Sequence, residues 1–144
     1  MHNTQWKPLP ELLPQADIVV MSLPGYSDTK GVIGEKELQL MKSNAILLNV
    51  GRGTAIDSLA LAKALQGRSI YGAGLDVTDP EPLPEDHPLW DAPHCIITPH
   101  VSGGYALPET LEKILNLSIE NLERYEKGEA LHNIIDFSTG YVKR

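Results

Sequence analysis

The chain has 144 residues, 42% hydrophobic and 22% charged, with a formal net charge of −7. This is the composition of an ordinary folded domain, and the negative balance argues against nucleic acid or an anionic membrane as the main partner. Cys95 is the only cysteine, which excludes a disulfide framework and a thiolate metal cluster. No apolar run reaches the length of a bilayer span, and the N-terminus lacks the apolar core of a signal peptide. The expected setting is soluble and cytoplasmic.

Residues 1–15 are irregular and rich in proline. Lys7 to Pro14 holds one short helical turn at most, because Pro14 blocks continuation. Ala16 to Pro24 is a β-branched apolar run ended by Pro-Gly, and predicts a strand. Ser27, Asp28 and Thr29 offer cap chemistry ahead of a helix over Glu35 to Met41, with Leu38 and Met41 facing inward. Ala45 to Val50 is a second apolar run without alternation, which predicts a strand buried on both faces of a parallel sheet. It stops at Gly51-Arg52-Gly53, where glycines permit a sharp turn and close approach to the backbone.

Asp57 caps a helix from Ser58 to Leu65 that buries Leu61, Ala62 and Leu65 and is closed by Gly67. Ser69 to Val77 predicts a third strand. Asp79 to Pro88 is an acidic, proline-rich loop, pinned to the body by Leu89, Trp90 and Ala92. Cys95 to Thr98 is a fourth short strand, followed by Pro99-His100. Pro108 to Lys127 is the longest helix, with Leu111, Ile114, Leu115, Leu117, Ser118, Leu122 and Tyr125 on one broad face and Gly128 at its end. The tail from Glu129 carries Leu131, Ile134, Ile135 and Phe137, which need a partner surface.

Strands alternating with helices predict an α/β fold with a parallel sheet and right-handed crossovers. Pro24, Arg52, Asp76 and His100 then meet at the carboxyl ends of the strands, where open α/β sheets bind ligands. Arg52 is a permanent cation whose planar fork matches a carboxylate. His100 gives or takes a proton near neutral pH. Glu81 or Asp79 in the preceding loop could back the histidine. This set suits reduction of a 2-keto acid. The arginine holds the acid, the histidine protonates the carbonyl oxygen, and a cofactor supplies the hydride.

The stretches Leu48-Asn-Val-Gly-Arg-Gly53, Gly74-Leu-Asp-Val77 through Pro80-Glu-Pro82, and Ile97-Thr-Pro-His100 resemble the D-isomer-specific 2-hydroxyacid dehydrogenases. Asn121-Leu-Glu-Arg-Tyr125 through Asn133-Ile-Ile-Asp136 to Gly140-Tyr141 continues the likeness, with glyoxylate/hydroxypyruvate reductases and D-lactate dehydrogenases as the comparable members. The resemblance implies a catalytic triad of Arg52, Glu81 and His100. It implies that Leu23, Pro24, Thr29, Val50, Gly51, Arg52, Asp76 and the turn from His100 through Ser102 to Gly103 line the nicotinamide half of NAD or NADP. Asp76 would meet the carboxamide or the nicotinamide ribose.

The same resemblance implies a partial Rossmann-like sheet, the second half of a dinucleotide-binding domain. Its segments are residues 1–15, an irregular lead; 16–128, the partial cofactor domain; and 129–144, a tail that returns to a substrate domain. These 144 residues contain no G-x-G-x-x-G turn, and the resemblance implies that the substrate domain and the phosphate-binding turn are missing from them. The expectation is an oxidoreductase portion acting on 2-hydroxy acids, or an idle remnant that folds without turnover. Little NAD binding is expected from these residues alone. Self-association is expected, because the first strand presents an apolar edge. A metal site from His87, His94, Cys95 and His100 is the remaining alternative, with a spacing that fits no standard ligand pattern.

Overall fold

A computed structural model of the chain describes residues 4–103 and 107–143. The chain divides into two compact units, residues 1–102 and residues 103–144.

The first unit carries a four-stranded parallel sheet in the order β1-β2-β3-β4. The strands are β1 (Ile18–Met21), β2 (Ile46–Asn49), β3 (Gly72–Leu75) and β4 (Cys95–Ile97). A single helical turn, α1 (Leu9–Leu12), precedes them; α2 (Glu35–Leu40) follows β1, and α3 (Ser58–Gln66) follows β2. In register, Leu47 pairs with Val19 on one side and Ala73 on the other. Val19, Met21, Leu47, Ala73 and Leu75 share one core with Leu38, Leu61, Ala62 and Leu65 from the two helices. Each large aliphatic side chain removed from water there contributes about 1.5–3 kcal/mol.

The helix signals act as the sequence predicts, with two differences. Asp57 Oδ1 accepts from the amides of Leu59 and Ala60 at 3.1 and 2.9 Å, capping α3. Helix α2 is instead capped at Gly34, whose amide donates to Glu37 Oε2 at 3.1 Å. Ser27–Thr29 forms its own 3₁₀ turn, closed by the Thr29 hydroxyl. At the end of α3 the left-handed residue is Arg68, with φ 55°, and not Gly67.

The sheet is covered on one face only, which corrects the expectation of strands buried on both. Alternation sends Ile18, Val20 and Ile96 to the opposite face, where they are 59%, 62% and 70% exposed. Ile46 and Leu48 on that face are half-buried. Helices α2 and α3 both pack on the Leu47 side, so the apolar run of β2 has a helix layer on only one side within this unit.

The second unit is a helix, α4 (Pro108–Glu126), and a small antiparallel pair, β5 (Ile135–Asp136) with β6 (Tyr141–Val142). Gly128 ends α4 in the left-handed conformation, φ 69°. The tail is tied to α4 by polar groups. Asn121 accepts from the His132 amide at 2.7 Å and donates to its carbonyl at 3.1 Å. Arg124 Nε donates to Ala130 O at 2.5 Å, and Glu120 meets His132 at 2.9 Å. The predicted apolar face of α4 is not the face that meets the tail. No α4 residue is buried, and Leu111, Ile114, Leu115, Ile119 and Leu122 are all exposed. Phe137, expected to need a partner surface, is 99% exposed.

Candidate active site

All four strands of the sheet are parallel, so their carboxyl ends lie along one edge. Leu23 and Pro24 follow β1, Val50 to Gly53 follow β2, Asp76 to Glu81 follow β3, and Thr98 to Gly103 follow β4. Every residue assigned to the site from sequence within residues 1–102 lies along that edge or in the connection immediately after it; Gly103 opens the second unit.

The turn after β2 is built by close backbone packing. A β-carbon on Gly51 would sit 2.6 Å from the Leu23 amide nitrogen, and one on Gly53 would sit 1.9 Å from Thr78 O. The two glycines therefore allow the turn to wedge between the segments that follow β1 and β3. Asn49, almost fully buried at 1% exposure, holds it from inside. Its Oδ1 accepts from the Gly51 amide at 3.0 Å and its Nδ2 donates to Arg52 O at 2.9 Å. Sequence reasoning placed Asn49 in a motif without giving it a task. The available signal was a polar residue in step with inward-facing Leu47. Arg52 itself is exposed, and its Nη1 donates to Gly51 O at 2.8 Å.

The loop after β3 delivers an acid to the histidine. Glu81 Oε1 lies 2.7 Å from His100 Nδ1, with both side chains a little under half exposed. A carboxylate only accepts, so Nδ1 carries the proton in this pair and Nε2 is turned to other work. Of the two acids weighed from sequence, Glu81 makes this contact. Asp79 instead accepts through its carbonyl from Ser58 Oγ at 2.8 Å, tying the loop to α3. Leu89 and Ala92 anchor the loop in the core as expected. Trp90 stays half exposed, with its indole N–H donating to Pro84 O at 2.8 Å.

Beside the Glu81–His100 pair lies a cavity of about 490 Å³, with walls that include Pro82, Leu83, Trp90 and Ile97. Arg52 is not among its lining residues. Arg52 and His100 share the sheet edge but follow β2 and β4, with β3 between them.

Asp76 is buried and held by three hydrogen bonds from its neighbours. Its Oδ1 accepts from Thr98 Oγ1 at 2.5 Å and from the Val101 amide at 3.0 Å; its Oδ2 accepts from the Ser102 amide at 2.9 Å. Burial works to raise its pKa, but the hydrogen bonds from Thr98, Ser102 and Val101 outweigh it and hold the carboxyl well below the usual carboxylate range. Thr29 is likewise engaged within its own turn. Its hydroxyl reaches Pro24 O at 2.6 Å and Tyr26 O at 2.9 Å, and accepts from the Tyr26 amide at 3.0 Å.

The residues of the alternative metal reading do not assemble. His94 stacks on Tyr71 with ring centroids 4.7 Å apart, His87 Nδ1 accepts from the Leu89 amide, and His100 faces Glu81. Burial pushes the Cys95 thiol up to about 11. Among the described residues no group of three or more His, Cys, Asp or Glu side chains could hold a metal ion. No helix among them is long and apolar enough to cross a membrane.

A four-stranded parallel α/β sheet, with an acid–histidine pair and an arginine following its carboxyl ends, defines the class: a Rossmann-like α/β domain. Residues 1–102 match the D-isomer specific 2-hydroxyacid dehydrogenase NAD binding domain, and the chain belongs to that family. It is 39% identical over 134 residues to glyoxylate/hydroxypyruvate reductase B of Pectobacterium carotovorum, covering 93% of this chain and 41% of the relative. A Xanthobacter autotrophicus D-isomer specific 2-hydroxyacid dehydrogenase, solved in complex with NADPH, superposes with a TM-score of 0.79 at 37% identity, covering 92% of this chain and 53% of that one. The NAD-complexed enzyme from Lactobacillus delbrueckii gives 0.81 at 31% identity, covering 91% and 43%. The chain thus spans about two fifths of the length of the curated relatives it matches.

Leu23 and Val50, which follow the adjacent strands β1 and β2, are both exposed and form an apolar stretch of the rim. The pyrophosphate needs a glycine-rich turn running from strand directly into helix. The connections from β1 to α2 and from β2 to α3 each interpose a 3₁₀ turn, Ser27–Thr29 and Gly53–Ala55, and neither carries the G-x-G-x-x-G pattern.

Proposed function

We propose that these residues are the nicotinamide-side portion of an NAD(P)-dependent oxidoreductase that interconverts 2-keto and 2-hydroxy acids. The observation that carries the reading is the 2.7 Å Glu81–His100 pair on the same sheet edge as Arg52. Arg52 binds and orients the substrate carboxylate through its guanidinium fork. Its present bond to Gly51 O is exchanged for the substrate. Glu81 holds His100 with Nδ1 protonated and stabilises the charged ring. His100 Nε2 then donates a proton to the keto oxygen during reduction and accepts it back during oxidation. Bound NAD or NADP supplies and receives the hydride. Leu23, Pro24 and Val50 exclude water from the nicotinamide face; Gly51, Ser102 and Gly103 are the backbone positions that let the cofactor come close. The tail from residue 129 returns toward a substrate domain.

The share of the relatives' length that is spanned favours a companion reading: alone, residues 1–144 fold and self-associate but do not turn over. Self-association follows from the free edge of β1 and from the uncovered face bearing Val20 and Ile96.

NADH titration by calorimetry, with NADH oxidation assayed on glyoxylate, hydroxypyruvate and pyruvate, tests both readings. Measurements are made on the chain alone and with an added polypeptide supplying the remaining part of a relative. Turnover in the mixture, lost with Arg52→Ala or His100→Ala, supports the oxidoreductase reading. Micromolar NADH binding by the chain alone would overturn the companion reading. A mixture that demonstrably associates, binds NADH and still shows no turnover would overturn the main one.

A further inference from the structure

His100 is held in an unfavourable backbone conformation. Its φ is 53°, in the left-handed region that a residue with a β-carbon rarely occupies. The segment reaches it through a tight turn in which the His100 amide donates to Thr98 O at 3.0 Å across Pro99. The histidine ring has its own tether, Glu81, but a ring tether alone does not fix where the backbone presents the ring.

We infer that Asp76 is the positioning residue of His100, a clamp around which the segment 98–102 is wrapped, and that this is its task in the site. The side chain at the start of the turn and two amides just beyond His100 all converge on this one carboxylate: Thr98 Oγ1, Val101 N and Ser102 N. The donors bracket His100 on both sides in sequence. Asp76 comes from the end of β3, whose last residue, Leu75, pairs with Ile97 of β4. The clamp is therefore referred to the sheet. A carboxylate offers about four acceptor positions, and three are already taken. The same carboxylate lines the cavity beside the Glu81–His100 pair, so the clamp is part of the wall that the histidine faces. The inference rests on the reading of His100 as the proton-transfer group, but its geometry is testable without turnover.

Asp76→Asn is the discriminating change. An amide has one oxygen, and its NH₂ group cannot accept, so at least one of the three donors loses its partner. The test is made on the 144-residue chain, without cofactor or substrate, by two NMR readouts. Exchange of the Val101 and Ser102 amides is expected to accelerate roughly 10- to 100-fold, the effect of losing a charge-assisted hydrogen bond. The ring ¹⁵N signature of the Nδ1-protonated His100 tautomer is expected to give way to a mixture, because the ring leaves Glu81. Amides of Leu47 and Leu75 in the sheet remain protected. A folded Asp76→Asn chain that keeps the His100 tautomer signature overturns the inference. Should that variant fail to fold, Thr98→Val decides. It retains the carboxylate and removes one donor, and a shift of the His100 tautomer supports the clamp whereas an unchanged signature overturns it. Glu81→Gln separates the two tethers, since it disturbs the ring signature and leaves Val101 and Ser102 protected. If the assays of turnover fail while these shifts appear, the proposed chemistry falls and the clamp stands.

Discussion

Glu81 Oε1 and His100 Nδ1 meet at 2.7 Å although they stand nineteen positions apart in sequence. The contact is made by two segments that leave adjacent strands at the same edge, one after β3 and one after β4. Replacing Glu81 by Gln keeps the shape and removes the charge. The prediction is loss of the single Nδ1-protonated form of His100, read by ring ¹⁵N shifts. In an assembled enzyme, turnover is expected to fall about 10²- to 10⁴-fold, the usual worth of positioned acid–base catalysis. Unchanged turnover there would remove Glu81 from the mechanism.

Asn49 closes a ring over the Arg52 turn with two hydrogen bonds from a buried position. Asn49→Ala leaves the Gly51 amide and the Arg52 carbonyl without these partners and opens a small void. A destabilisation of about 1–3 kcal/mol is expected, chiefly from the Gly51 amide left without its acceptor, since the Arg52 carbonyl keeps the Ala55 amide at 3.2 Å. Urea unfolding checks it, with the midpoint falling and the slope unchanged. Asn49→Asp preserves only the acceptor side and is expected to lie between the two.

Gly53 faces Thr78 O so closely that a β-carbon would overlap the carbonyl. Gly53→Ala must therefore push the Arg52 turn away from the end of β3. The expected cost is about 1–3 kcal/mol, as for other overpacked sites. A thermal melt of the variant within a degree of the parent would contradict this packing.

The pH dependence follows from Asp76. Its folded pKa is depressed below the ordinary 3.8, so its contribution to stability is present in full above that value. As pH falls through about 4 and lower, the unfolded state takes up the proton first and that stability is progressively lost. Asp76→Asn has no such proton to bind and is expected to show a flatter loss of stability below pH 4. Equal slopes for parent and variant in acid unfolding would show that Asp76 is not the group responsible.

The open sheet face predicts concentration-dependent association. Light scattering is expected to show species larger than the 15.8 kDa chain. Val20→Lys with Ile96→Lys, both at exposed positions of that face, is expected to shift the population toward monomer without loss of fold. A parent that stays monomeric at high concentration would refute the association.

Much of the fold was legible because it is written locally. Apolar runs bounded by Gly and Pro marked the four strands to within a few residues. Asp57 and Gly34 illustrate the limit: a side-chain cap shows in the sequence, whereas the start of α2 depended on Glu37 reaching back to a glycine amide. The apolar face of α4 was legible as a pattern. That Asn121 and Arg124 would bind the tail instead was not, because it required knowing where the chain returns after Gly128.

By itself the amino-acid order determined the parallel α/β class and the alignment of the strand ends, since these depend on periodicity and turn chemistry; the candidate site residues were named through the family resemblance of their motifs. Only the tertiary structure brought Glu81 within hydrogen-bond distance of His100, gave Asn49 and Asp76 their hydrogen-bonding duties, and left one side of the sheet bare. Those outcomes depend on distances between segments far apart in the chain. Hydrogen bonds and packing are fixed by a few tenths of an ångström, and no local propensity encodes them.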